Sequence, residues 1–131
     1  GYGDQYLDWL DVWRKNMALG LTTWGETSQV ETTRSDCHAW GSSPNIEFFR
    51  ILLGIESASP NFKTVRIAPN LGDIKKIGGE MPHPAGMISV DYKKSGKKLE
   101  ATITLPKGVD GEFVWNGQVN ALQAGENKLN L

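Results

Sequence analysis

Residues 98–105, KLEATITL, constrain the fold more than any other stretch. Leu99, Ala101, Ile103 and Leu105 fall on one side, and Glu100, Thr102 and Thr104 on the other. This period of two belongs to a strand with one buried face. The preceding run GMISVDYKK alternates Ile88, Val90 and Tyr92 in the same way, and Ser95-Gly96 joins the two as a hairpin. KTVRIAP sets Val65 and Ile67 on one face. EFVWNGQVNAL is a second hairpin, with Asn116-Gly117 suited to the two positive-φ positions of a type I′ turn. NKLNL supplies a last strand. Short strands at regular spacing predict an antiparallel β-sandwich over residues 59–131. The glycines of NLGDIKKIGGEM read as punctuation within that sheet, since no strand-to-helix step follows them to cradle a phosphate. His83, between two prolines in MPHPAG, reads as a turn residue.

The composition changes near SASPNF, residues 57–62. Before it, residues 1–58 carry helical patterning. Tyr6, Trp9, Leu10, Trp13 and Met17 recur at intervals of three and four, a broad apolar helix face. Asp4 is placed to cap its start, and Gly20 to end it. A second helix is expected from Ser43, with Pro44 at the first helical position and Ile46, Phe49 and Leu53 on one face. Together these predict an α+β chain, a helical segment followed by a sandwich. Two helices this rich in aromatic residues cannot bury both faces against each other. They must lean on the sheet or leave an apolar surface open to self-association.

Several function classes are excluded or left without support. The formal net charge of −1 gives no electrostatic reason to expect nucleic acid or an anionic membrane as partner. No run approaches eighteen apolar residues, so no spanning helix is expected. The single cysteine, Cys37, rules out an internal disulfide framework and a cysteine zinc cluster. The opening GYGDQYLDWL has no initiator Met, basic n-region or apolar h-region, and the expectation is a piece of a longer chain.

The connection between the helices, residues 21–42, is long for a compact domain unless it carries function. Within it, TTWGETSQVETTRSDCHAW holds two of the five Trp, one of the two His and the only Cys. Glu26 follows Trp24 closely. An indole beside a carboxylate suits a sugar site, where the ring stacks on a pyranose and the carboxylate does acid–base work; the other reading is a solvated carboxylate near a core Trp. Asp36 and His38 offer hydrogen bonds to sugar hydroxyls, or a buried His that ties down the loop. Two such ligands are too few for a zinc site, and no metal or other cofactor is expected. Cys37 and His38 are chain neighbours, which rarely face each other as a nucleophile and base require. Trp40 is platform or core, and Glu31 and Arg34 are spaced to pair on the surface.

TTWGE, then TRSDCHAWGSSP, then an amphipathic helix, then FKTVRIAPNLGDIKKIGGEMPHPAGMISVDYKK, resembles the C-terminal end of inverting α-L-rhamnosidases, a glycoside hydrolase family. The resemblance covers nearly the whole chain. It implies that residues 1–58 are the last part of an (α/α) barrel and residues 59–131 the closing sandwich. It implies Glu26 as general base, His38 as a sugar contact in the pocket, and Trp24 and Trp40 as pocket aromatics. Many relatives place the Glu directly after the Trp, whereas Gly25 intervenes here; Glu31 is the alternative base. The substrate implied is a rhamnose-containing glycoside or polysaccharide, cleaved with inversion, in a periplasmic or secreted setting. The general acid would lie upstream, outside these residues, so the 131 residues alone should be inactive. The alternative reading is a non-catalytic carbohydrate-binding or structural sandwich from a different (α/α)-barrel glycosidase.

Overall fold

The computed structural model describes residues 3–29, 31 and 35–131. The chain is α+β, with an irregular helical segment leading into two packed four-stranded sheets.

The first helix is shorter than its apolar spacing predicts. Single 3-10 turns at Gly3–Gln5 and Asp8–Leu10 precede α1 (Asp11–Ala18). Asp4 caps neither turn through its side chain; its Oδ1 instead accepts from the Gly72 amide at 3.3 Å, tying the segment to a sandwich loop. The end of α1 follows the sequence closely. Gly20 takes φ +77°, its amide donates to the Met17 carbonyl at 3.0 Å, and the Leu21 amide donates to Asn16 at 3.0 Å. That pair of bonds is a Schellman closure.

The second helix begins with a 3-10 turn at Ala39–Ser42, and α2 (Pro44–Glu47) follows with Pro44 in its first turn. Ser43 makes no side-chain cap bond, because its backbone is already helical in the preceding turn. From Phe48 to Leu52 the winding loosens to a π turn, closed by the Leu53 amide donating to Phe48 at 3.0 Å. Gly54 then reverses the chain at φ +73°. A Cβ there would lie 2.2 Å from the Ala68 carbonyl carbon, so both the backbone angle and the space require glycine.

The sandwich begins immediately afterwards with β1 (Ile55–Ser57). It continues through β2 (Thr64–Ile67), β3 (Lys76–His83), β4 (Gly86–Ser95), β5 (Lys98–Leu105), β6 (Asp110–Trp115), β7 (Gln118–Leu122) and β8 (Gly125–Asn130). One sheet has the order β1-β2-β6-β7, the other β3-β4-β5-β8. All pairings are antiparallel except β2 with β6, which run parallel. The predicted hairpins form: Ser95 pairs with Lys98, and Asn116 (φ 49°) and Gly117 (φ 80°) make the type I′ turn. His83 closes β3 at the Pro84-Ala85 turn, where Nδ1 accepts from the Ala85 amide and Nε2 lies 2.7 Å from the Phe62 carbonyl.

The alternating residues bury as their period requires. Val65, Ile67 and Phe113 of one sheet meet Ile88, Tyr92, Leu99 and Ile103 of the other in a continuous core. Among the described residues, the helical segment leans on this core through its last turn, where Leu53 is buried and Phe49 half-buried. The Tyr92 hydroxyl donates to the Leu53 carbonyl at 2.9 Å across that joint. Elsewhere on the segment the apolar face is open: Trp9, Met17 and Ile46 are 55%, 76% and 49% exposed. Leu10 and Trp13 are half-buried, and Tyr6 is buried with its hydroxyl donating to the Pro44 carbonyl at 2.7 Å.

Candidate functional site

The loop between α1 and α2 holds its shape through a short two-strand contact. The His38 amide donates to Trp24 at 2.9 Å, and the Glu26 amide donates to Ser35 at 2.9 Å. These bonds set residues 24–26 alongside 35–38. The Thr23 hydroxyl adds a bond to the Asp36 carbonyl. Two Trp side chains then fasten the loop: the Trp40 indole donates to the Glu26 carbonyl at 2.9 Å, and the Trp13 indole of α1 donates to Gly41 at 2.6 Å. Gly41 passes so close to the 24–25 backbone that a Cβ would sit 2.8 Å from the Gly25 oxygen.

The ladder brings Glu26 and His38 face to face. His38 Nε2 lies 3.7 Å from Glu26 Oε1, beyond a direct hydrogen bond and within ion-pair reach when the imidazole is protonated. The Trp40 ring packs on the imidazole with centroids 4.4 Å apart and planes tilted by 45°. His38 Nδ1 is shielded from solvent and has no hydrogen-bond partner among the described residues. The carboxylate itself remains open, with Glu26 39% exposed at its side chain. An accessible carboxylate oxygen, a neighbouring imidazole and a 63% exposed indole form a polar notch with an aromatic wall. Such a set can accept a proton from a bound water and stack on an apolar sugar face.

The other two residues singled out in this loop stand differently. Trp24 joins the group through its backbone carbonyl, while its side chain lines a separate cleft of about 310 Å³ with Leu10, Trp13, Met17 and Phe48. Asp36 is half-buried and supplies its backbone carbonyl to Thr23. Glu31 is exposed; its suggested pairing with Arg34 falls outside the described residues. Cys37 is a free, exposed thiol. Among the described residues, no group of three His, Cys, Asp or Glu could hold a metal ion. Trp13 and Gly41 were not legible as site residues: Trp13 reads as part of an apolar helix face, and nothing in the pattern marks its indole N–H as the loop's anchor.

Residues 54–130 match the family model for the bacterial alpha-L-rhamnosidase C-terminal domain. No curated protein matches the chain. Among solved structures, the native alpha-L-rhamnosidase from Aspergillus terreus superposes with TM-score 0.81 at 16% identity, over 91% of this chain and 15% of that one. The alpha-L-rhamnosidase from Dictyoglumus thermophilum gives TM-score 0.77 at 17% identity, over 88% of this chain and 17% of that one. The Streptomyces avermitilis alpha-L-rhamnosidase complexed with L-rhamnose gives TM-score 0.78 at 15% identity, over 91% and 14%. At these identities the likeness is one of fold, and it extends over the helical segment as well as the sandwich. The chain spans about one sixth of the length of these solved structures. The family match covers more than half of the chain, which therefore belongs to the family of bacterial alpha-L-rhamnosidase C-terminal domains.

Proposed function

We propose that these residues are the C-terminal part of a glycoside hydrolase that removes terminal α-L-rhamnose by inverting hydrolysis. The helical segment up to Gly54 is then the end of an (α/α) barrel, and the strands from Ile55 onward, rather than from residue 59, are the sandwich that closes it. The observation that carries the reading is the approach of Glu26 Oε1 to His38 Nε2 at 3.7 Å, beside the exposed Trp40 ring. The open apolar face of the helical segment supports it, since Trp9, Met17 and Ile46 would be covered by other barrel helices.

In an inverting reaction one carboxylic acid protonates the leaving oxygen while an opposing carboxylate activates water on the other face of the sugar. The two stand roughly 6.5–9.5 Å apart. Glu26 acts as the water-activating base. It works ionised, and its exposed oxygen leaves room for the water. His38 stands beside the carboxylate and contacts the sugar, and Trp40 supplies a stacking wall, while Trp24 and Asp36 shape the pocket through their backbone carbonyls, which accept from the His38 amide and the Thr23 hydroxyl. The general acid belongs to a part of the enzyme outside these residues. The substrate is a rhamnose-containing glycoside or polysaccharide.

Turnover of an aryl α-L-rhamnoside tests this, using the 131-residue chain and a longer catalytic unit that contains it. The chain alone should give no turnover and the longer unit should give robust release. Turnover by the isolated chain would place the acid within it and sink this division of labour.

A further inference from the structure

Two Trp-Gly steps, Trp24-Gly25 and Trp40-Gly41, stand near the two ends of the loop between α1 and α2, and the fold presses one onto the other. Gly41 lies in the 3-10 turn Ala39–Ser42 and is not among the glycines of positive φ, so its backbone angle does not call for glycine. Space does. A Cβ at Gly41 would stand 2.8 Å from the Gly25 oxygen and 2.8 Å from the Trp24 Cβ, well inside the 3.4–4 Å of ordinary contact. Trp40 adds a second tie, its indole N–H donating to the Glu26 carbonyl at 2.9 Å. The Gly41 amide donates to the His38 carbonyl at 3.1 Å, which binds the same turn to the residue that faces Glu26.

We infer that this contact positions Glu26 for the reaction, with Gly41 and the Trp40 indole N–H as its positioning groups; the inference rests on the reading of Glu26 as general base. Among the described residues no hydrogen bond holds the Glu26 carboxylate, and His38 Nε2 at 3.7 Å lies beyond one. The carboxylate therefore stands where its backbone puts it. That backbone is set by the bond to Ser35, by the packing of Gly41 on residues 24–25 and by the Trp40 indole at residue 26. A methyl group at position 41 would push the two segments apart and move the carboxylate relative to His38. Activation of water depends on that position, and a displacement of about 1 Å can cost about 10²-fold in rate. In Trp40 the stacking ring and the positioning N–H belong to one side chain, and a single substitution separates them.

The test is kcat and KM for an aryl α-L-rhamnoside, measured on a catalytic unit containing these residues and on its Trp40→Phe, Gly41→Ala and Glu26→Gln variants. Trp40→Phe keeps an aromatic ring for stacking and loses the donor; kcat and kcat/KM should fall together, about tenfold, with KM kept. Gly41→Ala should lower kcat by about 10²-fold. A raised KM with kcat kept in Trp40→Phe would make Trp40 a stacking wall alone and overturn the inference, as would an unchanged kcat in Gly41→Ala. Should Gly41→Ala not fold, Trp40→Phe decides, because its ring is 63% exposed and lies outside the core. Glu26→Gln separates the two levels. Full activity there, or an inactive unmutated unit, would refute the base and this inference with it. Loss there beside an unchanged kcat in Trp40→Phe would refute the positioning alone.

Discussion

The Tyr92 hydroxyl, buried at the centre of one sheet, donates to the Leu53 carbonyl at the end of the helical segment, at 2.9 Å. This bond joins the sandwich to the loosened last turn that precedes Gly54. It crosses a joint with few other anchors, among them the Asn70 amide on Ile51 at 3.0 Å and the Asp4 carboxylate on Gly72. Tyr92→Phe removes the donor and leaves a buried carbonyl unmet, which should cost about 1–3 kcal/mol in urea unfolding. No change in the midpoint would mean that the joint is held elsewhere.

The same tyrosines set an alkaline limit. Burial raises the Tyr92 phenol above its ordinary value, and burial followed by the Glu47 charge raises Tyr6. A group whose folded value is raised contributes stability that is fully present below the unfolded value, about 10, and is lost as pH climbs through the folded value. Stability from these two groups should therefore hold from neutral pH to about 10 and fall above it. Unfolding measured from pH 8 to 12 checks this, and Tyr92→Phe should flatten the alkaline fall.

Core and surface substitutions should separate cleanly. Ile103 and Phe113 are fully buried between the sheets. Truncating Phe113 to Ala should cost about 3–5 kcal/mol. Met17→Ala, at 76% exposure on the open helical face, should change stability by less than about 0.5 kcal/mol. Thermal melts of the two variants decide this.

That open face also sets the behaviour of the isolated chain. Trp9, Met17, Trp40 and Ile46 are all close to half exposed or more. The chain should self-associate as its concentration rises, and Met17→Lys should reduce the effect. A monomer at high concentration in static light scattering would count against the uncovered face as an association surface.

The loop's anchor gives a local prediction. Trp13→Phe deletes the indole donor to Gly41, held at 2.6 Å, while keeping an aromatic ring. The loop should loosen without global unfolding, seen as displaced His38 and Trp40 resonances at an unchanged melting temperature. Unmoved resonances would show that the 24–26/35–38 ladder suffices alone.

The strands with a strict period of two could be read directly, because burial on one face imposes that period residue by residue: Leu99, Ala101, Ile103 and Leu105 all bury as expected. β3 could not, since Gly78, Gly79 and Pro82 carry little strand preference and only Ile77 and Met81 mark its inner face. The parallel pairing of β2 with β6 was also hidden, because alternation fixes a strand's face and not its neighbour. The helical segment departed most. Its apolar spacing is genuine, yet 3-10 turns precede α1 and a π turn ends the second helix. For the site, the residue types of the loop pointed to Glu26, His38 and Trp40. Their meeting depends on the backbone ladder at Trp24 and Ser35, which periodicity does not encode.

The most direct measurement is release of an aryl leaving group from an aryl α-L-rhamnoside by a catalytic unit containing these residues, with and without Glu26→Gln. The account predicts a fall in kcat of about 10²–10⁴-fold with substrate binding kept, the scale of a lost general base. Full activity in the Glu26→Gln enzyme would contradict it and move the base to another carboxylate, with Glu31 the first to test.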